Sequence, residues 1–154
     1  MTSIQAAIDK HQAPSIARDV PLLFPVHPRT RPSLQRSALI GALVEQQHLR
    51  LLDPLGYLEF IGLLASARVV LTDSGGIQEE TTVLGVPCLT LRTSTERPVT
   101  VEHGTNHLVG VETDAIVNAW QKVKSATTTP QMPTHWDGQA DRRIVEILLR
   151  HACT

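Results

Sequence analysis

A chain of 154 residues that is 42% hydrophobic and 19% charged has the apolar content of one packed domain and too much of it to stay disordered. A net charge of −1, with Lys and Arg scattered along the chain, excludes a broad basic field for nucleic acid or a membrane surface. No apolar stretch is long enough to span a bilayer, the first residues do not read as a signal peptide, and a cytoplasmic protein is expected.

Aromatic residues make up only 3%, so the core must be aliphatic. The apolar positions predict a helix over 4–18, a strand over Leu22–Val26, a helix over 33–46 with Leu34, Ala38, Leu39, Ala42 and Leu43 on one stripe, and a strand over Leu49–Leu52. A helix over Tyr57–Ala67 follows, then a strand at 69–72, a Ser-Gly-Gly turn and a helix over 77–84 ended by Gly85 and Pro87. Beyond it the reading gives a strand at Cys88–Leu91, a polar loop to Pro98, one helical turn at Val99–His103 and a weaker strand at His107–Val111. A helix over 114–125, a Thr/Pro linker and a last helix over 138–150, with Ile144, Ile147 and Leu148 facing inward, complete the chain. Short strands alternating with helices argue for one α/β domain over residues 1–154, a parallel sheet with helices on both faces. His27, Asp53, Asp73 to Gly76 and Arg92 each follow a predicted strand, which places them on the edge where such sheets bind ligands.

Leu71-Thr72-Asp73-Ser74-Gly75-Gly76-Ile77-Gln78-Glu79-Glu80 is the most informative stretch. Strand, glycine turn and helix aim unpaired N–H groups and the positive end of a dipole at one point, a cradle for phosphate. Glu80 lies one turn beyond Gly76, where a carboxylate can accept hydrogen bonds from a ribose diol. Ordinary turn chemistry explains Asp-Ser-Gly-Gly equally well, and neither the dinucleotide fingerprint nor the P-loop is present. His103 and His107 are spaced as metal ligands on a helix, but Gly104 and Asn106 disfavour a helix there, so no metal is expected. Phe60, Trp120 and Trp136 read as packing residues, and Cys88 as a small buried hydrophobe.

Several stretches in order carry a resemblance: Phe24 to Thr30, Asp53 to Phe60, Leu71 to Glu80, Leu84 to Cys88, Thr95 to Pro98, Glu102 to Asn106 and Trp136 to Gly138. Together they resemble the non-hydrolysing UDP-N-acetylglucosamine 2-epimerases, over residues 15 to 150. The resemblance implies a Rossmann-like C-terminal domain of the glycosyltransferase-B type, an isomerase reaction by UDP elimination and re-addition, and no cofactor. It implies that Ser74, Gly75 and Gly76 meet the diphosphate, Glu80 the ribose and Phe60 the uracil. Arg97 faces the cleft as a possible catalytic group, and His27, Arg92 and Glu96 stand as substrate or regulatory residues. The family's catalytic carboxylates belong to an N-terminal half outside this sequence, so the expected partners are a UDP-sugar, a separate N-terminal half and further copies of the chain, with neither nucleic acid nor membrane. A non-catalytic nucleotide-sugar binding module and a glycosyltransferase of the same fold remain as alternatives.

Overall fold

The computed structural model describes residues 16–17, 19–36, 38–45, 48–126 and 132–152. Most of the helix expected over 4–18 and most of the Thr/Pro linker lie outside them. Strand β1 (Leu22–Pro25) leads to helices α1 (Arg31–Gln35) and α2 (Ala38–Glu45), then to β2 (Leu49–Leu52) and α3 (Tyr57–Ala65). Strand β3 (Val70–Thr72) enters α4 (Gly75–Leu84), which returns to β4 (Cys88–Thr90). Helix α5 (Pro98–Glu102), β5 (Asn106–Leu108), α6 (Thr113–Ser125) and α7 (Ala140–Ala152) follow.

Every strand pairing is parallel, as the alternation of strands and helices requires. The expected single sheet is divided in two. One sheet has the order β1-β2 and the other β3-β4-β5, and among the described residues nothing pairs with the remaining edge of β1 or of β3. The helix expected over 33–46 is likewise broken between α1 and α2. Pro32 near the start of α1 fixes a helical φ where no N–H is needed, and Gly85 ends α4 with φ 71°, the left-handed cap that a side chain disfavours.

Three apolar clusters sit between the layers. Ala17, Val26, Leu34, Ile40 and Leu49 close the β1-β2 sheet, and Ile16, Leu89, Leu91, Ile116 and Trp120 seal β4 against α6. Leu64, Val70 and Val86 join α3 to β3, with Phe60 and Ile77 packed beside them. Each fully buried Leu or Ile contributes about 1.5–3 kcal/mol. Trp120 is fully buried, and its indole N–H donates to Asp19 Oδ2 at 2.9 Å, a partner that a buried indole needs. The last helix departs from expectation: Ile144, Ile147 and Leu148 are more than half exposed, and no residue of α7 is buried.

Candidate functional site

Strand β3, with Val70 and Thr72 buried and Leu71 half-buried, delivers the chain to Asp73 and Ser74, at the carboxyl edge of the sheet. Ser74, in extended conformation, is the N-cap of α4, so Gly75 and Gly76 form the first helical turn and not a separate tight turn. The Ser74 hydroxyl makes no capping bond, and the first turn holds no acidic side chain. The leading N–H groups of a ten-residue helix therefore point outward with the positive end of its dipole. A Cβ on Gly76 would meet nothing within 4 Å, and one on Gly75 would meet only Glu96 Oε2 at 3.9 Å. The chain's own packing does not require glycine at these positions, and the space above them is open.

The loop between β4 and α5 is held against this helix end by buried polar bonds. Gln78 is fully buried, and its Oε1 accepts from Thr95 Oγ1 at 2.6 Å and from Asn106 Nδ2 at 3.1 Å. Asn106 also accepts from Thr90 Oγ1 at 2.6 Å and donates to Thr100 Oγ1 at 3.1 Å. Thr95 Oγ1 accepts the Arg97 backbone N–H at 3.0 Å, which fixes the loop where Arg97 leaves it. Helix α4, the loop, α5 and β5 are thus locked as one unit, as buried polar groups demand. Gln78 Nε2 is buried with no partner among the described residues. Gly104 belongs to the same unit, because a Cβ there would lie 2.5 Å from Thr100 O and 2.6 Å from Thr82 Oγ1.

Arg92 and Arg97 are not free loop cations. Arg92 Nη2 donates to Glu96 Oε1 at 3.1 Å. Arg97 Nε lies 2.7 Å from Glu79 Oε1, but its N–H is not aimed at that oxygen, so the contact is an ion pair without a well-formed hydrogen bond. Both partners keep about two-fifths of their side-chain surface in water, and the pair is available to exchange for a stronger anion. Glu80 is half-buried and has no hydrogen bond or ion pair among the described residues. Phe60 is half-buried against the Leu64–Val70–Val86 cluster, which supports its packing role. His27 is exposed after β1, where its Nδ1 accepts the Arg29 N–H at 3.2 Å. No hydrogen bond or ion pair joins it to the cluster around α4. Asp53 is engaged by Arg31. No group of three metal-ligating side chains occurs among the described residues.

Of the residues singled out in the sequence, the structure sets Glu96 beside Gly75, pairs Arg92 with Glu96 and pairs Arg97 with Glu79 of α4, while Glu80 and Phe60 make no such contact with the loop and His27 stands apart after β1. Sequence reasoning passed over Glu79, Gln78 and Thr95. One signal was available: Gln78, Thr81 and Thr82 recur at helical spacing on one face of α4, and all three are buried. A polar stripe where a core stripe belongs marks a hydrogen-bonded interior.

A sequence profile of the UDP-N-acetylglucosamine 2-epimerase family matches residues 1–149. The chain is 39% identical over 132 residues to the UDP-N-acetylglucosamine 2-epimerase of Methanococcus maripaludis, covering 82% of this chain and 34% of that protein. It is 39% identical over 150 residues to a UDP-2,3-diacetamido-2,3-dideoxy-D-glucuronate 2-epimerase of Pseudomonas aeruginosa, covering 97% of this chain and 40% of that one. The crystal structure of the Methanocaldococcus jannaschii UDP-GlcNAc 2-epimerase with UDP-GlcNAc and UDP superposes with a TM-score of 0.78 at 36% identity, covering 96% of this chain and 41% of its own. The chain therefore spans well under half the length of these relatives. With the fold, the motif order and the profile in agreement, the chain belongs to the UDP-N-acetylglucosamine 2-epimerase family and corresponds to the C-terminal portion of its members.

Proposed function

We propose that residues 1–154 form the UDP-gripping domain of a cytoplasmic UDP-N-acetylglucosamine 2-epimerase, working with an N-terminal half that supplies the proton-transfer groups. The observation that carries the reading is the start of α4: a helix end whose Ser74 hydroxyl makes no capping bond, open space above Gly76 and a Glu80 one turn on with no partner among the described residues. Main-chain N–H groups of Gly75 and Gly76, with the Ser74 hydroxyl, hold the diphosphate. Glu80 accepts hydrogen bonds from the ribose hydroxyls, and Phe60 offers a ring edge to the uracil.

In 2-epimerisation a base removes the C2 proton while UDP leaves C1, and UDP then returns as a proton reaches the opposite face. Negative charge grows on the departing β-phosphate oxygen. The helix end stabilises it without reorganising, and Arg97 joins by turning from Glu79 toward the stronger anion. Arg92 and Glu96 set the loop's position, and His27 lies outside this grip. The Pseudomonas relative's name widens the substrate class to UDP-sugars bearing a 2-acetamido group.

Calorimetry with UDP tests the grip. The chain binds UDP, and Glu80→Gln weakens it by about tenfold or more, the effect of losing charge-assisted hydrogen bonds. No heat with UDP, or an unchanged affinity in the variant, overturns the reading. Mixing the chain with a separately expressed N-terminal half of the M. jannaschii relative and following conversion of UDP-N-acetylglucosamine to its manno epimer tests the reaction. No conversion in the mixture overturns the enzymatic assignment.

A further inference from the structure

We propose, building on the diphosphate grip at the start of α4, that Glu79 is a positioning residue: it competes with the ligand for Arg97 and so limits how tightly free UDP is held. Glu79 lies four residues after Gly75, on the same side of α4, and helical side chains lean toward the N-terminus. Its carboxylate therefore stands within one turn, about 5 Å, of the N–H groups proposed to meet the diphosphate. Arg97 Nε lies 2.7 Å from Glu79 Oε1. The main chain of Arg97 is pinned at both ends. Its N–H donates to Thr95 Oγ1 at 3.0 Å, and that hydroxyl donates to the buried Gln78 Oε1 at 2.6 Å. Its carbonyl accepts from Thr100 Oγ1 at 2.7 Å and from the Thr100 N–H at 3.0 Å. Only the guanidinium is left to move. Its one hydrogen bond among the described residues is a long one, from Nη1 to Glu96 O at 3.3 Å.

A cation on a swinging side chain goes to the stronger of the anions offered to it. While the β-phosphate is esterified to the sugar it carries a single charge, no more than Glu79 does, and Arg97 gains little by leaving. When the C1–O bond breaks, its electron pair stays on that phosphate, which becomes a terminal group of roughly two charges near neutral pH. Arg97 then turns to it, and the strength of the Glu79 pair is subtracted from the hold on UDP. The hold on the UDP-sugar is left almost as it was. Epimerisation benefits from that subtraction, because UDP has to return to C1, and a deep well at the helix end would slow its return. Glu96 is the other carboxylate beside the helix end, but Arg92 Nη2 already donates to it at 3.1 Å. Glu79 is the one set against Arg97.

The test is calorimetry on the full chain with UDP and with UDP-N-acetylglucosamine. Glu79→Gln keeps the shape of the side chain and frees Arg97. UDP then binds about three- to fivefold tighter, the fold-change of a half-exposed ion pair, while UDP-N-acetylglucosamine changes by less than about twofold. A Glu79 that only props up the helix would weaken both ligands when replaced. A Glu79 that only repels the ligand's charge would tighten UDP whatever stands at position 97, so Arg97→Gln supplies the second arm. In that background Glu79→Gln changes UDP affinity by less than about 1.5-fold, because the two residues act through each other. The Arg97 Nε–H resonance gives a direct view: it shifts on saturation with UDP and stays near its free position with UDP-N-acetylglucosamine. Unchanged or weaker UDP binding in Glu79→Gln, equal tightening of both ligands, equal tightening with and without Arg97, or an equal Nε–H shift with both ligands overturns the proposal and leaves the UDP grip standing. No heat from the unaltered chain with UDP overturns the grip itself, and the role of Glu79 with it.

Discussion

Gly76 and Gly104 stand for opposite reasons, and alanine separates them. At Gly76 a Cβ meets open space in an ordinary helical turn, so Gly76→Ala stabilises the chain by about 0.4–1 kcal/mol through the unfolded state. Tm then rises by roughly 1–4 °C for a domain of this size. The same methyl intrudes where the diphosphate is proposed to sit, and UDP affinity falls. At Gly104 the Cβ would press on Thr100 O and Thr82 Oγ1, of which the first is backbone and cannot move aside. Gly104→Ala costs about 1–3 kcal/mol as overpacking and loosens the loop that carries Arg97. Thermal melts and UDP calorimetry on the two variants check both: a lower Tm in Gly76→Ala, or an unchanged one in Gly104→Ala, contradicts the packing described. Both glycines lie within recognisable motifs, but sequence does not say which is kept free for a ligand and which is crowded by its own fold. That distinction exists only once α4 and β5 are side by side.

At the scale of elements, local pattern located nearly every helix and strand, because apolar spacing and Gly/Pro punctuation act within a few residues. It failed where tertiary placement decides. Alternation cannot say which strands pair, and so did not reveal that β1 and β3 stand apart. Nor did it anticipate the clamp at the start of α7. Asp137 accepts two bonds from Arg143 Nη1, each 2.9 Å, and one from the Gln139 N–H at 3.0 Å. Arg143 Nη2 also donates to His135 O at 2.8 Å. Arg143 first, and the backbone N–H second, pull the Asp137 carboxyl down to about 2 from its ordinary 3.8. A depressed folded value means that the clamp's contribution is fully present above about pH 4 and is lost as pH falls through about 2. The side-chain carboxyl resonance of Asp137 should titrate near the lower value, and in Arg143→Ala it should move back toward the higher one. A midpoint near 3.8 in the unaltered chain would show the clamp open in solution.

For the whole molecule, the spacing of α7 predicts an inward apolar stripe, and the fold leaves that stripe uncovered. Ile144, Ile147 and Leu148 recur at helical spacing, as a buried face requires, and Val145 and Leu149 widen it. All five are more than half exposed. Periodicity reports that a helix has something to bury, and says nothing about whether the covering surface belongs to the same chain. Arg143, Glu146 and Arg150 flank the stripe, so the helix stays soluble in the folded chain while leaving a contiguous apolar strip. Water-exposed apolar area is worth about 25 cal/mol per Å² when covered, and two such helices laid together cover each other's strip at little cost in polar groups. The chain alone should therefore self-associate through α7. Sedimentation should show a mass above the 16.9 kDa protomer that grows with concentration. Ile147→Lys combined with Leu148→Glu should return the monomer without lowering Tm, since neither side chain is buried in the fold. A monodisperse monomer of the unaltered chain at high concentration would mean that water alone covers this helix.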